Sequence, residues 1–398
     1  MSSFEKRQSI LTQIRNLKMA RSSHRYVRGS TVNFYAWLES GAAKLPKGPS
    51  LWICGDCHLG NLGPLADAKG RVAIQIRDLD QTVIGNPVHD LIRLGLSLAS
   101  AARGCDLPGV TTARILEEFV AGYQGALREF VDRDRSHRPK PIQRTLRHSI
   151  RRRWRHLAEE RIEDVEPEIP LGDKFWAPTA AERDGIAALF GQERVREILT
   201  RLKARDSKAP VQLVDVAYWV KGCSSLGRIR FAALAKIDEG RAATYCLVDL
   251  KEGVPAAAPC DDKAAMPRDN AERVVAGACA LSPNLGERML AARLLGKAVV
   301  LRELMPQDIK IDMDHLGPED AVGLARYLGG VVGRAHGRQL DAGERKAWAR
   351  DLAKCRGKSL DAPSWLWSSV VELLSVHEAA YLEHCRRFAL TQTAKPGR

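Results

Sequence analysis

Three residues in one short stretch have the types and spacing for phosphate chemistry. In CGDCHLGN (Cys54–Asn61), Asp56 and Asn61 stand five positions apart, and seventeen residues later Asp78 closes an expected strand. An amide oxygen and a carboxylate on separate loops are hard ligands of the kind a magnesium ion bridging nucleotide phosphates takes. Asn61 and Asp78 are therefore the candidate metal ligands. Asp56 is the candidate base, able to orient an attacking hydroxyl or accept its proton. The same stretch contains CxxCH (Cys54-Gly-Asp-Cys57-His58), the pattern of c-type haem attachment, a chemistry that needs export. A zinc reading lacks a second ligand pair at suitable spacing.

The elements that must hold these residues follow from periodicity. Residues 1–50 read as one or two helices and a turn at Pro46–Pro49, followed by a buried strand at Leu51–Ile53. A second strand runs through Val72, Ala73, Ile74 and Ile76. Leu91, Leu94, Leu98 and Ala102 recur at helical spacing, as do Ile115, Phe119 and Tyr123, and helices continue to about residue 205. After Pro210 the pattern alternates. Val211–Lys221, Arg228–Ile237 and Thr244–Lys251 form an expected antiparallel meander, with turns at Gly222–Gly227 and Asp238–Gly240. A helix from about Asp269, a strand at Lys297–Leu304 and some ninety helical residues complete the chain.

The ordered set GDxHxxN, a strand ending in Asp-x-Asp, and GNPxxDL, spanning Gly55 to Leu91, resembles the phosphotransferase branch of the protein-kinase-like superfamily, the aminoglycoside and choline kinase types. That resemblance implies a phosphate-binding loop at Gly222-Cys223-Ser224-Ser225-Leu226-Gly227, where backbone N–H groups can cradle phosphate oxygens. It implies Lys251 as the contact to the α- and β-phosphates. Glu272 is then its ion-pair partner, although Asp269-Asn-Ala-Glu272 also fits a helix capping box. Lys297–Asp308 resembles the strand between lobes, and Tyr327–Gln339, with His336, resembles the helix that enters the catalytic loop. These parts occur in rotated order, so the chain resembles a circularly permuted kinase, cut between that helix and the catalytic loop. With Arg25–Leu38 included, the arrangement resembles a bacterial family, domain of unknown function 2252, over most of the chain.

The implied fold is α+β, two-lobed and protein-kinase-like. Its helical lobe comes from residues 1–210, its β-rich nucleotide lobe from 211–308, and 309–398 return to the helical lobe. The implied activity is ATP- and Mg²⁺-dependent phosphoryl transfer to an unidentified hydroxyl or amine on a small molecule or protein. Two alternatives stand beside it: nucleotidyl (AMP) transfer on the same fold, and a non-catalytic basic protein binding nucleic acid or an acidic partner. Among neighbouring residues, His58 is expected to be structural and Asp80 to assist the metal or cap a turn. Asp90 is expected to accept N–H groups at the start of its own helix. Arg25 and Arg28 either reach a phosphate or form a solvated face.

Charge adds a weaker clue. The 398 residues are 45% hydrophobic, enough for a real core, and carry a formal net charge of +14. Residues 133–155 hold ten basic side chains against Asp134, so +9 of the surplus is local. With Trp154 as its lone aromatic, the stretch is poor material for stacking bases and reads as a solvated helix face or a collector of an anionic ligand. Nine scattered cysteines do not suggest a disulfide framework. The first residues are charged where a signal peptide would be apolar, and no apolar run reaches the roughly 18 residues of a span. A cytoplasmic protein with no membrane span is expected.

Overall fold

A computed structural model describes residues 4–41, 45–132, 137–151, 168–201, 205–222, 226–238, 243–309, 311, 316–354 and 363–388. The chain begins with three helices rather than one or two: α1 (Phe4–Ala20), α2 (Ser23–Gly29) and α3 (Thr31–Glu39). Next come β1 (Leu51–Ile53), a 3₁₀ turn at Leu59–Asn61, and the hairpin of β2 (Leu62–Ala66) and β3 (Val72–Ile76). β4 (Val83–Gly85) returns antiparallel to β1. Helices α4 (Val88–Gly104), α5 (Gly109–Arg128) and α6 (Lys140–Arg151) follow. α4 is buried on nearly every side, as its Leu/Ile-rich sequence requires.

The meander forms as expected, from β6 (Val211–Trp219), β7 (Arg230–Asp238) and β8 (Ala243–Glu252). After β5 (Phe175–Trp176) come α7 (Ala180–Phe190) and α8 (Glu193–Thr200). The meander is followed by α9 (Asn270–Leu281), α10 (Pro283–Gly286), β9 (Met289–Leu294) and β10 (Lys297–Glu303). The sheet is antiparallel, in the order β5-β6-β7-β8-β10-β9. β9 lies outside the expected strands. Leu295 and Gly296, with φ of 51° and 77°, make a tight hairpin turn that joins it to β10. The last helices are α11 (Pro318–Gly337), α12 (Ala342–Lys354) and α13 (Ser364–Phe388).

The protein is α+β, with one core among the helices around α4 and others against the sheet. Ile186, Leu189, Val195 and Leu199 of α7 and α8 share a core with Val216, Phe231 and Val248 of the sheet. Helices α5 and α11 approach unusually closely. A methyl group on Gly122 would come within 1.9 Å of the Arg326 carbonyl oxygen, and one on Gly329 within 2.0 Å of that of Phe119. This explains glycine in the middle of helices that it would otherwise destabilise. No helix among the described residues is long and apolar enough to cross a membrane, and the described cysteines are free thiols.

Candidate functional site

The hairpin of β2 and β3 explains how two residues seventeen apart share a site. Asn61 precedes β2 and Asp78 follows β3. The strands pair Leu62 with Ile76, and the Arg77 N–H donates to the Asn61 carbonyl at 2.7 Å, so the two candidate ligands leave the same end of one hairpin. Asp56, Asn61, Asp78 and Asp80 together line a cleft of about 540 Å³.

The loop carrying Asp56 is held from four sides. Asp90, fully buried in α4, accepts the N–H of Cys54 at 2.7 Å and that of Gly55 at 2.9 Å. Its role is to hold the loop from within α4, rather than to cap its own helix as expected. Tyr35 donates its hydroxyl to the Gly55 carbonyl at 2.5 Å, and Ser97 Oγ accepts the Leu59 N–H at 3.1 Å. Asn61 Nδ2 donates to the Asp56 carbonyl at 3.0 Å, which commits its N–H₂ to the loop and leaves its amide oxygen as the group suited to a cation. Gly55 has φ of 74°, and a Cβ there would fall 2.0 Å from the Gln81 carbonyl oxygen, so no other residue fits.

A chain of side chains runs behind the loop. Trp348 Nε1 donates to the Tyr123 hydroxyl at 3.1 Å. That hydroxyl lies 3.0 Å from His336 Nδ1, and His336 Nε2 lies 3.1 Å from Asp90 Oδ2. Because an indole N–H can only donate, the Tyr123 proton is free for Nδ1, which directs the Nε2–H of His336 at Asp90. His336 therefore meets the loop through Asp90.

Asp56 is paired with an arginine that the motif reading missed. Arg93 Nε donates to Asp56 Oδ1 at 2.9 Å and Nη2 to the Val27 carbonyl at 2.6 Å. The arginine is wholly buried, its guanidinium 5.4 Å from the centre of the Phe34 ring. The available signal was a lone charge in the otherwise apolar run LIRLGL of α4. Burial raises the Asp56 carboxyl above its usual range, against the opposing pull of Arg93. His58 is buried with Nε2 3.8 Å from Asp56 Oδ2, consistent with a structural histidine.

Asp78 meets Lys251, one residue from the end of β8, with Nζ 3.2 Å from Oδ1 and 3.3 Å from Oδ2. The same ammonium also contacts Asp80. Burial disfavours ionised Asp78, but Lys251, Arg302 and Arg230 outweigh it and hold the carboxyl far below the usual range. Burial and the Asp78 charge together push Asp80 up. Behind Lys251 lies a buried network. Arg230, cross-strand from Lys251, donates to Asp249 at 2.9 and 2.6 Å, and Arg302 reaches the same carboxylate at 3.3 Å. Asp249 is thereby held far below its usual range despite burial.

Glu272 is not brought to this site. It is exposed, and its N–H donates to Asp269 Oδ1 at 3.2 Å, which is the N-cap half of the capping-box alternative. The neighbouring Arg273 is the residue of α9 that turns inward, donating to the carbonyls of Asp80 at 3.0 Å and Val254 at 2.7 Å, and to that of Thr82. One step of a helix turns a side chain through about 100°, so a capping residue at the third position faces solvent while its successor faces the core. Gly222 and Gly227 bracket the expected phosphate loop with φ of 98° and 95°. Cys223, Ser224 and Ser225 lie outside the described residues. The side chains of Arg25 and Arg28 do too, as do residues 133–136 and 152–155 of the basic stretch, Trp154 among them. The described part of that stretch, 137–151, lines no part of the cleft. Its Arg144, Arg147 and Arg151 form a solvated face of α6.

Cys54, Cys57 and Asp90 converge and are buried, with ligand-type atoms within 4.8 Å of one another. Burial raises the Cys54 thiol well above its usual range, and both Asp90 oxygens are already engaged by N–H groups. Thiols bind a metal as thiolates, so this trio is suited to packing rather than coordination.

No curated protein and no solved structure matches the chain. One family pattern does, described as an uncharacterised protein conserved in bacteria, and it extends over residues 7–387. The chain therefore belongs to the bacterial family named domain of unknown function 2252.

Proposed function

We propose that this protein is an ATP- and Mg²⁺-dependent phosphotransferase on a circularly permuted protein-kinase-like fold. The observation that carries the reading is the meeting of Lys251 and Asp78, 173 residues apart in sequence, above a cleft that also holds Asp56 and Asn61. Two features of the chain path support it. The sheet order β6-β7-β8-β10-β9, with α9 between β8 and β9, is what a kinase nucleotide lobe would require. In addition, the side-chain amide of Gln339, just beyond α11, bonds both backbone groups of Trp52 at 2.8 and 3.0 Å. The end of the helix thus abuts the strand that feeds the catalytic loop, where the permuted order would place the original connection.

In this reading Asp56 accepts the proton of the acceptor hydroxyl as its oxygen attacks the γ-phosphorus of ATP. The products are a phosphomonoester and ADP, and the proton passes from Asp56 to solvent. Arg93 holds Asp56 Oδ1 and so fixes the orientation of the carboxylate in the cleft. The Lys251 ammonium, resting on Asp78 and Asp80, would exchange those carboxylates for nucleotide phosphate oxygens, and the positive φ of Gly222 and Gly227 suits the ends of a phosphate-binding turn. The oxygen-only donor set of Asn61 and Asp78 fits Mg²⁺, which would supply charge neutralisation for the polyphosphate. Catalysis rests on positioning and charge neutralisation.

Incubation with γ- and α-labelled ATP tests the proposal. Release of γ-label to water or an added acceptor, with the α-label remaining on ADP, is expected. Protein-bound α-label would favour AMP transfer instead. Absence of both, together with no Mg·ATP-dependent rise in Tm, would leave a binding protein.

A further inference from the structure

We infer that the exposed face of α6 docks the phosphate backbone of a nucleic-acid duplex, without reading its sequence. Lys140, Arg144, Arg147 and Arg151 recur at one-turn spacing, so they stand in a row about 16.5 Å long on one side of the helix, and all four are exposed. The 12 residues of α6 contain no Asp or Glu. Each neighbouring pair in the row is therefore a like-charge pair, and Lys140 stands at the helix N-terminus, where the dipole disfavours a cation. In α8, α12 and α13 the same spacing joins opposite charges: Glu193 with Arg196, Asp351 with Lys354 and Glu383 with Arg386.

The row is a fixed rail. Ile142 and Leu146 on the opposite side of α6 lie in the main core, and Ser149 Oγ donates to the Gln307 carbonyl at 2.7 Å, so the helix cannot roll. Its charges work against its own stability, a local cost that proteins retain where an external partner repays it. A duplex carries one phosphate charge for about every 1.7 Å of its axis and so presents several to a rail of this length. With its inner side buried, α6 cannot enter a groove, and contacts to phosphates alone carry no sequence information. It has no Phe, Tyr or Trp on which the bases of a single strand would stack. A helix lying in a membrane surface turns its apolar side to the lipid, whereas α6 turns that side to the core and exposes Ile150 alone of its apolar residues. α6 lines no part of the cleft, so this surface is separate from the proposed nucleotide site.

A fluorescein-labelled DNA duplex of about 20 base pairs, titrated with the full chain at about 50 to 200 mM NaCl and read by anisotropy, tests the surface. Contacts to four phosphates predict a slope of log K on log salt of about −3.6 or steeper. Arg144→Gln and Arg147→Gln should each weaken binding and flatten the slope by about 0.9, with Tm held or raised because each removes a like-charge contact. A duplex of unrelated sequence should bind equally, and Arg350→Gln, which removes an exposed cation of α12, should change neither affinity nor slope. Absence of binding at the lowest salt, or an unchanged slope in both α6 variants, overturns the inference. So does tighter binding of single-stranded DNA, of poly-glutamate or of phosphatidylserine vesicles, which would make the partner a single strand, an acidic peptide or a membrane. The titration contains no ATP, so its outcome is independent of the phosphotransferase reading.

Discussion

Lys251 Nζ sits 3.2 Å from Asp78 Oδ1 and also contacts Asp80, joining the last residues of a sheet strand to the loop after the β2–β3 hairpin. If that ammonium serves a polyphosphate, Lys251→Met should lower ATP turnover about 10²- to 10³-fold, the scale of losing one preorganised charge contact. Asp78→Ala should remove the Mg²⁺-dependent part of the ATP-induced Tm shift. Turnover and nucleotide-induced Tm, measured across a magnesium titration, check both. Retention of the Mg²⁺ dependence in Asp78→Ala would remove Asp78 from the ligand set.

The Asp56–Arg93 pair makes the candidate base part of the scaffold. Arg93 is wholly buried, so removing its carboxylate partner leaves an uncompensated cation. Asp56→Ala should cost about 3–5 kcal/mol, and the double variant Asp56→Ala/Arg93→Met should recover much of that loss. Urea unfolding of the four proteins measures the coupling. Simple additivity would show that the pair has no energetic weight in the fold.

Legibility in the sequence differed by range. The strands of the meander, the helix cap at Asp269 and the cluster Asp56, Asn61 and Asp78 follow from local pattern, because turn chemistry and alternation are encoded within a few residues. Arg93, Arg273 and Arg387 did not follow. Their roles depend on which helix face turns inward and on which distant segment it meets, as when α13 brings Arg387 to the cleft that holds Asp56. The exposure of Glu272 has the same origin, because the next residue on the helix, Arg273, is the one that turns inward, to the carbonyls of Asp80 and Val254. β5 and β9 escaped notice because a two-residue strand and a short apolar run carry no decisive period.

The raised Asp56 carboxyl sets a pH window. In the proposed reaction its ionised form is the base, so activity should fall with unit slope as pH drops through a value above the ordinary carboxylate pKa of about 3.9. Stability from this group has the opposite sign. A folded-state pKa above the unfolded one contributes stability that is present at low pH and lost as pH rises through it. Rate–pH profiles of ATP turnover should show this limb in the wild type. A limb centred below about pH 3.9 contradicts the assignment.

Asp249 behaves inversely. Arg230 and Arg302 hold its carboxyl low, so its contribution is complete above the unfolded value of about 3.9 and is lost as pH falls toward the folded one. Asp249→Asn should therefore be less stable than wild type at neutral pH, and the gap should narrow below about pH 4 as Asp249 of the unfolded wild type takes up a proton that the folded protein does not bind. Unfolding at matched ionic strength reads the gap at each pH. A constant gap would mean that the network does not depend on this charge.

The chain from Trp348 through Tyr123 and His336 to Asp90 predicts a positioning effect without contact to substrate. Tyr123→Phe leaves the Trp348 N–H without its buried acceptor and His336 Nδ1 without its donor. The cost should be about 1–3 kcal/mol for each group left unsatisfied. His336→Ala also releases Asp90, which holds the N–H groups of Cys54 and Gly55 next to Asp56. A displacement of that loop by about 1 Å should lower kcat roughly 10²-fold while KM for ATP, which the proposed function assigns to other segments, changes little. His336→Asn, which can still donate toward Asp90, should recover part of kcat. If His336→Ala and His336→Asn lose activity only in proportion to their Tm, the chain is a packing feature and does not align the base.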